Sequence, residues 1–286
     1  MYALIALGYT MVYGVLRLIN FAHGDVFMLG AFIAYYAGQF LGFGAYSITL
    51  PQALALLMIS MVACAAIGAF IERIAYRPLR RAPRLTALIT AIGVSLFLEY
   101  GGQLVFGTDP KPFPGLVGGG APLLKFGETT LGKQDAITIA ITVVLLLILR
   151  QIVYGSRAGR AMRAVSFDRE TAGLMGINID GVISLTFAIG SGFAGAAGVL
   201  VGMAFPSINP MMGLMPGIKA FTAAVLGGIG NIPGAMLGGY VIGMTETMVA
   251  GSRISSYRDA VVFGVLIFML LVRPSGLLGK GTVEKV

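Results

Sequence analysis

Apolar runs of about 20 residues, separated by short polar stretches, recur along the whole chain. A helix needs about 20 such residues to cross ~30 Å of hydrocarbon, whereas barrel strands would alternate every second residue, so the pattern predicts a polytopic α-helical membrane protein. Residues 1–16 carry no charge, and Arg17 then opens RLINFAHGD, whose Asn20, His23 and Asp25 are unusually polar neighbours for two apolar segments. Residues 26–50 form the next run, with Gly30, Ala34, Gly38 and Gly42 spaced by four. That spacing puts small residues on one helical face, where backbones approach closely. Residues 51–71 open on Pro51, tolerated in a first helical turn, and close at Glu72. Further runs cover 85–107, with Glu99 in its second half, 136–153, and 182–203, which carries a second small-residue stripe of Gly190, Ala194, Gly198 and Gly202.

From Phe205 to Gly251 the pattern breaks, at FPSINPMMGLMPGIK and again at GGIGNIPGAMLGG. Broken helices are tolerated at membrane depth only where the freed backbone groups are buried in protein or line a wet cavity. With a cytoplasmic RPSGLLGK tail, the passes after residue 181 are even in number, and four are expected near 182–203, 211–230, 233–250 and 254–272. A re-entrant hairpin would have the same parity. The expected fold is therefore an all-α transmembrane bundle, one domain over residues 1–286, of about 8–9 membrane segments, some broken or re-entrant. Glycine-interrupted apolar pairs around 17–25 and 204–235 match the weak symmetry of transporters built from internal repeats.

Charge sets the orientation. ERIAYRPLRRAPR holds five arginines against one glutamate and belongs in the cytoplasm. Residues 108–135 balance Lys111, Lys125 and Lys133 against Asp109, Glu128 and Asp135, which fits the outer side. Two passes after the first arginine cluster comes a second basic island, YGSRAGRAMRAVSFDRETAGLMGINIDG, from Tyr154 to Gly181, on the same side. Composition agrees: 57% hydrophobic and 11% charged, against roughly 25% charged in soluble domains. The net charge of +8 follows the positive-inside rule and does not point to nucleic acid. Cys64, the single cysteine, forms no intrachain disulfide and reads as a small core residue. Met1 leads straight into apolar sequence, so no cleavable signal peptide is expected.

Within the island, residues 155–181 read as a coupling loop. Asp168 can cap a helix, Glu170 sits in its first turn and Gly176 follows Met175 where a C-terminal cap belongs, which predicts a helix over Arg169–Met175. Upstream, Arg160 and Arg163 share one helical face and Met162 and Val165 another. A short helix with an apolar face on a cytoplasmic surface suits docking into a groove on a partner. The alternative is a basic loop that fixes topology and touches lipid headgroups.

Catalytic and metal motifs are missing. The single histidine, the lack of HExxH and Gly-x-Ser-x-Gly elements, and Pro274 in place of the first P-loop glycine before Gly279-Lys280 leave neither a metal site nor an ATPase in the sequence. Intramembrane polar residues are the candidates for a permeation route, because ionisable groups there are costly and face a cavity or a partner side chain. They are Asn20, His23, Asp25, Glu99 and Glu246, with Gly228 and Asn231 in the broken stretch Gly227–Gly234. The competing readings are structural: interfacial caps for Asn20, His23 and Asp25, a paired or protonated packing contact for Glu99 and Glu246, and a tight helix–helix turn for Gly228 and Asn231. Tyr9 and Tyr13, four apart, read as core or interface aromatics of the first helix.

Three stretches in order, RLINFAHGDVFMLGAF, GRAMRAVSFDRETAGLMGIN and KAFTAAVLGGIGNIPGAMLGG, resemble the LivH-type permease subunit of ABC importers for branched-chain amino acids, a similarity that covers nearly the whole chain. The resemblance implies a multi-pass subunit of the bacterial cytoplasmic (inner) membrane. It would pair with a homologous LivM-type permease, engage two cytoplasmic ATPases that bind ATP and Mg²⁺, and receive its solute from a periplasmic binding protein. No cofactor is expected in this chain itself. By similarity, Gly159 to Gly176, with Arg160, Arg163, Asp168 and Glu170, would be the segment seated in an ATPase. Family members usually carry a further short segment before YALIALGYTMVYG, so an incomplete first helix is expected. An ion-coupled secondary transporter using Glu99 or Glu246, and a channel, are the alternative classes.

Overall fold

A computed structural model describes residues 1–16, 20–44, 46–80, 82–120, 122–126 and 129–279. Arg17, Arg81, Glu128 and Lys280 lie outside them. The helices are α1 Tyr2–Leu16, α2 His23–Phe40, α3 Leu50–Ile71, α4 Arg84–Phe106, α5 Lys133–Gly155, α6 Arg157–Phe167, α7 Arg169–Leu174, α8 Ile179–Ala204, α9 Leu214–Gly227, α10 Ile232–Ala250 and α11 Arg258–Val272. Three two-stranded pairs of short strands occupy the segments away from the arginine clusters. In the first, β1 (Ser47–Ile48) pairs with β3 (Gly115–Leu116), and in the second, β2 (Lys111–Pro112) pairs with β6 (Ser207–Ile208). The third is a hairpin of β4 (Pro122–Phe126) and β5 (Thr129–Gly132). The first two pairs tie the neutral 108–135 segment to the chain just after α2 and just after α8.

Helix α8 is the core, and α1, α2 and α3 pack around it. Its glycine stripe sets how close they come. A Cβ at Gly30 would lie 2.4 Å from the Gly195 Cα, and one at Gly198 would lie 2.2 Å from the Phe27 carbonyl oxygen. Ser60 of α3 donates to the Gly30 carbonyl at 2.9 Å and lies 3.2 Å from that of Gly195, so its hydroxyl joins three helices where their backbones come close. Small residues therefore act here as expected, giving packing where lipid supplies no hydrophobic drive between helices. On the outside, α4 exposes Leu85, Ile89, Phe97 and Leu104, and α5 exposes Ile139, Val143 and Leu147, the apolar exterior of a lipid-facing bundle.

Among the described residues, five helical stretches are long and apolar enough to cross a membrane: Leu50–Leu79, Leu85–Phe106, Lys133–Gly155, Ile179–Ala204 and Ser255–Val272. The 14 residues of α9 make about 21 Å of helix, short of ~30 Å of hydrocarbon. The expected pass over 211–230 is thus a short helix entered through turns and β6, because Pro210 and Gly213 interrupt the start of the run. Its N-terminus meets that of α2, since a Cβ at Gly213 would lie 2.3 Å from the Gly24 carbonyl oxygen.

Two boundaries differ from the sequence reading. Helix α2 ends at Phe40, not near 50, and Gly42 is no member of the small stripe. With φ +69° it closes the helix, as Phe43 N–H donates to the Gly38 carbonyl at 2.8 Å and Gly42 N–H to that of Gln39 at 3.1 Å. These are the two bonds of a Schellman cap. Helix α3 begins at Leu50 with Pro51 in its first turn as expected, and Thr49 N–H bonds to Gln52 Oε1 at 2.8 Å, but the helix does not stop at Glu72. It continues through a π-helical turn, Glu72–Tyr76, and a 3₁₀ turn, Arg77–Leu79. Pro78 explains the change, having no N–H for the Ile74 carbonyl and a ring that clashes with it in an α-helix.

Candidate functional site

The basic island folds as two helices anchored to the bundle. Ser156 caps α6, accepting from Gly159 N–H at 2.9 Å, and the α6 backbone lies so close to the end of α5 that a Cβ at Gly159 would fall 2.1 Å from the Val153 carbonyl oxygen. Asp168 caps α7 by accepting from Glu170 N–H at 2.9 Å, Thr171 N–H at 3.2 Å and the Thr171 hydroxyl at 2.8 Å. Those Thr171 bonds hold the Asp168 carboxyl below its ordinary range. At the other end Gly176, φ +80°, forms a second Schellman cap, with Ile177 N–H bonded to the Ala172 carbonyl at 3.1 Å. The helix expected over Arg169–Met175 is there, its last residue serving as the cap.

The apolar face expected to dock a partner is spent inside the protein. Met162, Val165 and Ala172 are buried, and Ser166 and Arg169 bond to the Gly14 and Val15 carbonyls at the end of α1. Helix periodicity finds the apolar face of α6 but cannot tell which neighbour covers it. What the loop shows to solvent is Phe167, Leu174 and Met175, which are 90%, 85% and 79% exposed. Arg160 is exposed with them, as is Glu170, whereas Arg163 donates to the Val153 carbonyl and stacks over Tyr154 at 5.5 Å. Phe167, Leu174 and Met175 escaped the sequence reading because each is apolar in an apolar chain. Position was the available signal: Phe167 directly precedes the Asp168 cap, and Leu174 and Met175 directly precede Gly176 at the other end of α7.

The two arginine clusters lie on one face, as their charge requires. Arg77 and Arg80, from the end of α3, both reach Asp180 in the first turn of α8, and Arg80 also pairs with the fully buried Glu72. Between this group and the loop lies a cleft of ≈ 480 Å³ lined by Leu16, Arg80, Ser166, Asp168 and Glu170, among others.

Of the proposed route residues, Asn20, His23, Asp25 and Glu99 are all buried, the first three in or just before the first turn of α2 and Glu99 on α4, which packs against α2. Tyr76 donates to Asn20 Oδ1 at 2.7 Å, and the Ser95 hydroxyl donates to the Asp25 carboxylate. Glu99, one turn after Ser95 on α4, is the acidic side chain that neighbours Asp25. His23 lies edge-on to Tyr9 at 4.9 Å, with its Nε2 2.0 Å from where a Gly8 Cβ would stand.

The others sit elsewhere. Glu246 accepts from Lys219 at 2.6 Å, and Lys219 lies 2.6 Å from Asp259, so a buried lysine joins α9, α10 and α11. Gly228 and Asn231 form a tight turn between α9 and α10. Asn231 caps α10 and donates to the Leu278 carbonyl at 2.7 Å, with the C-terminal tail folded over the turn. That is the structural alternative for these three residues, and of the proposed route residues it leaves Asn20, His23, Asp25 and Glu99.

Comparison with known proteins decides the lineage. Residues 1–270 match the family described as branched-chain amino acid transport system / permease component. The chain belongs to this family. Among relatives, the high-affinity branched-chain amino acid transport system permease protein BraD of Pseudomonas aeruginosa is 46% identical over 291 residues, covering 100% of this chain and 94% of that protein. The corresponding permease protein LivH of Escherichia coli K12 is 44% identical over 288 residues, covering 100% and 93%. A probable LivH of Methanocaldococcus jannaschii is 27% identical over 290 residues, covering 96% and 88%. No solved structure matches the chain.

Proposed function

We propose that the permease is the transmembrane subunit of an ATP-binding-cassette importer of the bacterial inner membrane, carrying branched-chain amino acids or related small polar solutes. It pairs with a homologous LivM-type permease, receives solute from a periplasmic binding protein, and is driven by two cytoplasmic ATPases that bind ATP and Mg²⁺. The observation that carries this reading is the loop of α6 and α7, which is fastened to α1 by its own polar and apolar contacts while Phe167, Leu174 and Met175 project outward from the arginine-rich face. A rigid mount with an exposed apolar tip suits transmission of force from a partner's groove. The polar group of Asn20, His23, Asp25 and Glu99 serves as a transient contact along the solute's route.

Uptake by sealed vesicles tests the mechanism. Dependence on ATP on the cytoplasmic side, with uptake unchanged when an ionophore collapses ion gradients, is the expected result. Loss of uptake with the ionophore alone overturns it in favour of an ion-coupled transporter. Leu174→Glu, on an exposed side chain, is expected to leave the protein folded and to release the ATPase during co-purification.

A further inference from the structure

The network at the end of α3 is unlike the rest of the arginine-rich face. Its centre, Glu72, is fully buried at the first position of the π-helical turn. A buried carboxylate persists only when paired and hydrogen-bonded, and this one accepts from both Arg80 and the Ser184 hydroxyl of α8. The Arg80 guanidinium uses its other end on Asp180, which Arg77 also holds. One planar cation therefore bridges a carboxylate on α3 and a carboxylate on α8, a job its forked donors suit.

Sequence position gives this bridge its meaning. Asp180 follows the loop almost at once: Gly176 ends α7, Asn178 caps α8 by accepting from Gly181 N–H at 3.0 Å, and Asp180 lies in the first turn. A displacement of α7 thus reaches Asp180 through a few residues of fixed geometry. On its other side Arg80 lines the ≈ 480 Å³ cleft that Asp168 and Glu170 of the loop also line. The π-helical turn adds compliance at the receiving end, since such turns inside helices recur at functional sites.

We propose that Glu72, Arg80 and Asp180 form a strut that converts motion of the α6–α7 loop into displacement of α8 against α3. This rests on the reading of that loop as the ATPase contact. The three are positioning residues, because none touches solute or nucleotide. Helices α3 and α8 form the most extensive interface in the bundle, held at Ser60 and Gly195, so a strut at their arginine-rich ends levers the pair about that point.

The test uses the complete complex purified with its native ATPases and partner permease, reconstituted with its binding protein, and reads solute imported per ATP hydrolysed. Arg80→Lys keeps the charge but lacks the fork. Asp180→Asn changes a half-exposed group, and Glu72→Gln is isosteric and retains a partner for Ser184. All three are expected to keep the ATPases bound and hydrolysing while solute per ATP falls about tenfold, within the usual range of site-to-site coupling. Wild-type stoichiometry in all three overturns the strut, and so does loss of bound ATPase, which would make the network part of the docking surface. Leu174→Glu, run in parallel, separates the two ideas: if it retains the ATPases, the docking reading fails whatever the network variants do.

Discussion

At the scale of single residues, the buried charges are the sensitive points. Lys219 is buried between the part-buried Glu246 and the more exposed Asp259, and removing the cation leaves the Glu246 carboxylate without its partner. Lys219→Met is therefore expected to lower the unfolding midpoint in detergent sharply, and adding Glu246→Leu to recover most of the loss. Asp168 gives a pH prediction of definite sign. Its folded carboxyl titrates below the unfolded one, so the cap contributes fully above the unfolded value near ~4 and is lost only as pH falls through the depressed folded value. Hydrogen exchange at Glu170 and Thr171 amides is expected to stay protected from neutral pH down to mild acid and to rise only below it. The role of Asp168 was readable from its neighbours in sequence, because capping is local. The partner of Glu246 was not, since Lys219 lies 27 positions away.

At the scale of elements, the closest helix contacts leave no slack. A Cβ at Gly30 or Gly198 meets backbone atoms of the facing helix, which cannot rotate aside, and overpacking typically costs about 1–3 kcal/mol or more. Gly30→Ala is expected to separate α2 from α8 and reduce thermal stability, while Gly101→Ala, with open space around it on α4, is expected to change nothing measurable. The four-residue spacing announced the tight faces correctly, yet Gly42 shows its limit: the same residue type at the same spacing ends α2 as a left-handed cap. The bonds that Phe43 and Gly42 donate to Gly38 and Gln39 mark it as a cap. Likewise the apolar face of α6 was legible, but whether it met a partner or α1 was not, because amphipathicity records a face and not its neighbour.

For the whole molecule, orientation is the testable quantity. Cys64 is buried at the α2–α3–α8 junction, so single reporter cysteines can be introduced without interference from it. Phe167→Cys is expected to react with an impermeant maleimide only from the cytoplasmic side, and Val117→Cys, in the neutral segment, only from the outside; the reverse pattern would invert the topology. Sequence alone determined the class, the shared side of the two arginine clusters and the capped helix of the loop. Each of these follows from local hydropathy, charge or capping chemistry, which the membrane and the neighbouring residues read directly. Only the tertiary structure decided that α9 is too short to cross, that Met162 and Val165 face inward while Phe167, Leu174 and Met175 face out, and that Glu72 and Asp180 share one arginine. These depend on which distant surfaces meet, and packing between helices is settled by shape complementarity across the whole bundle, a property no single stretch of sequence carries.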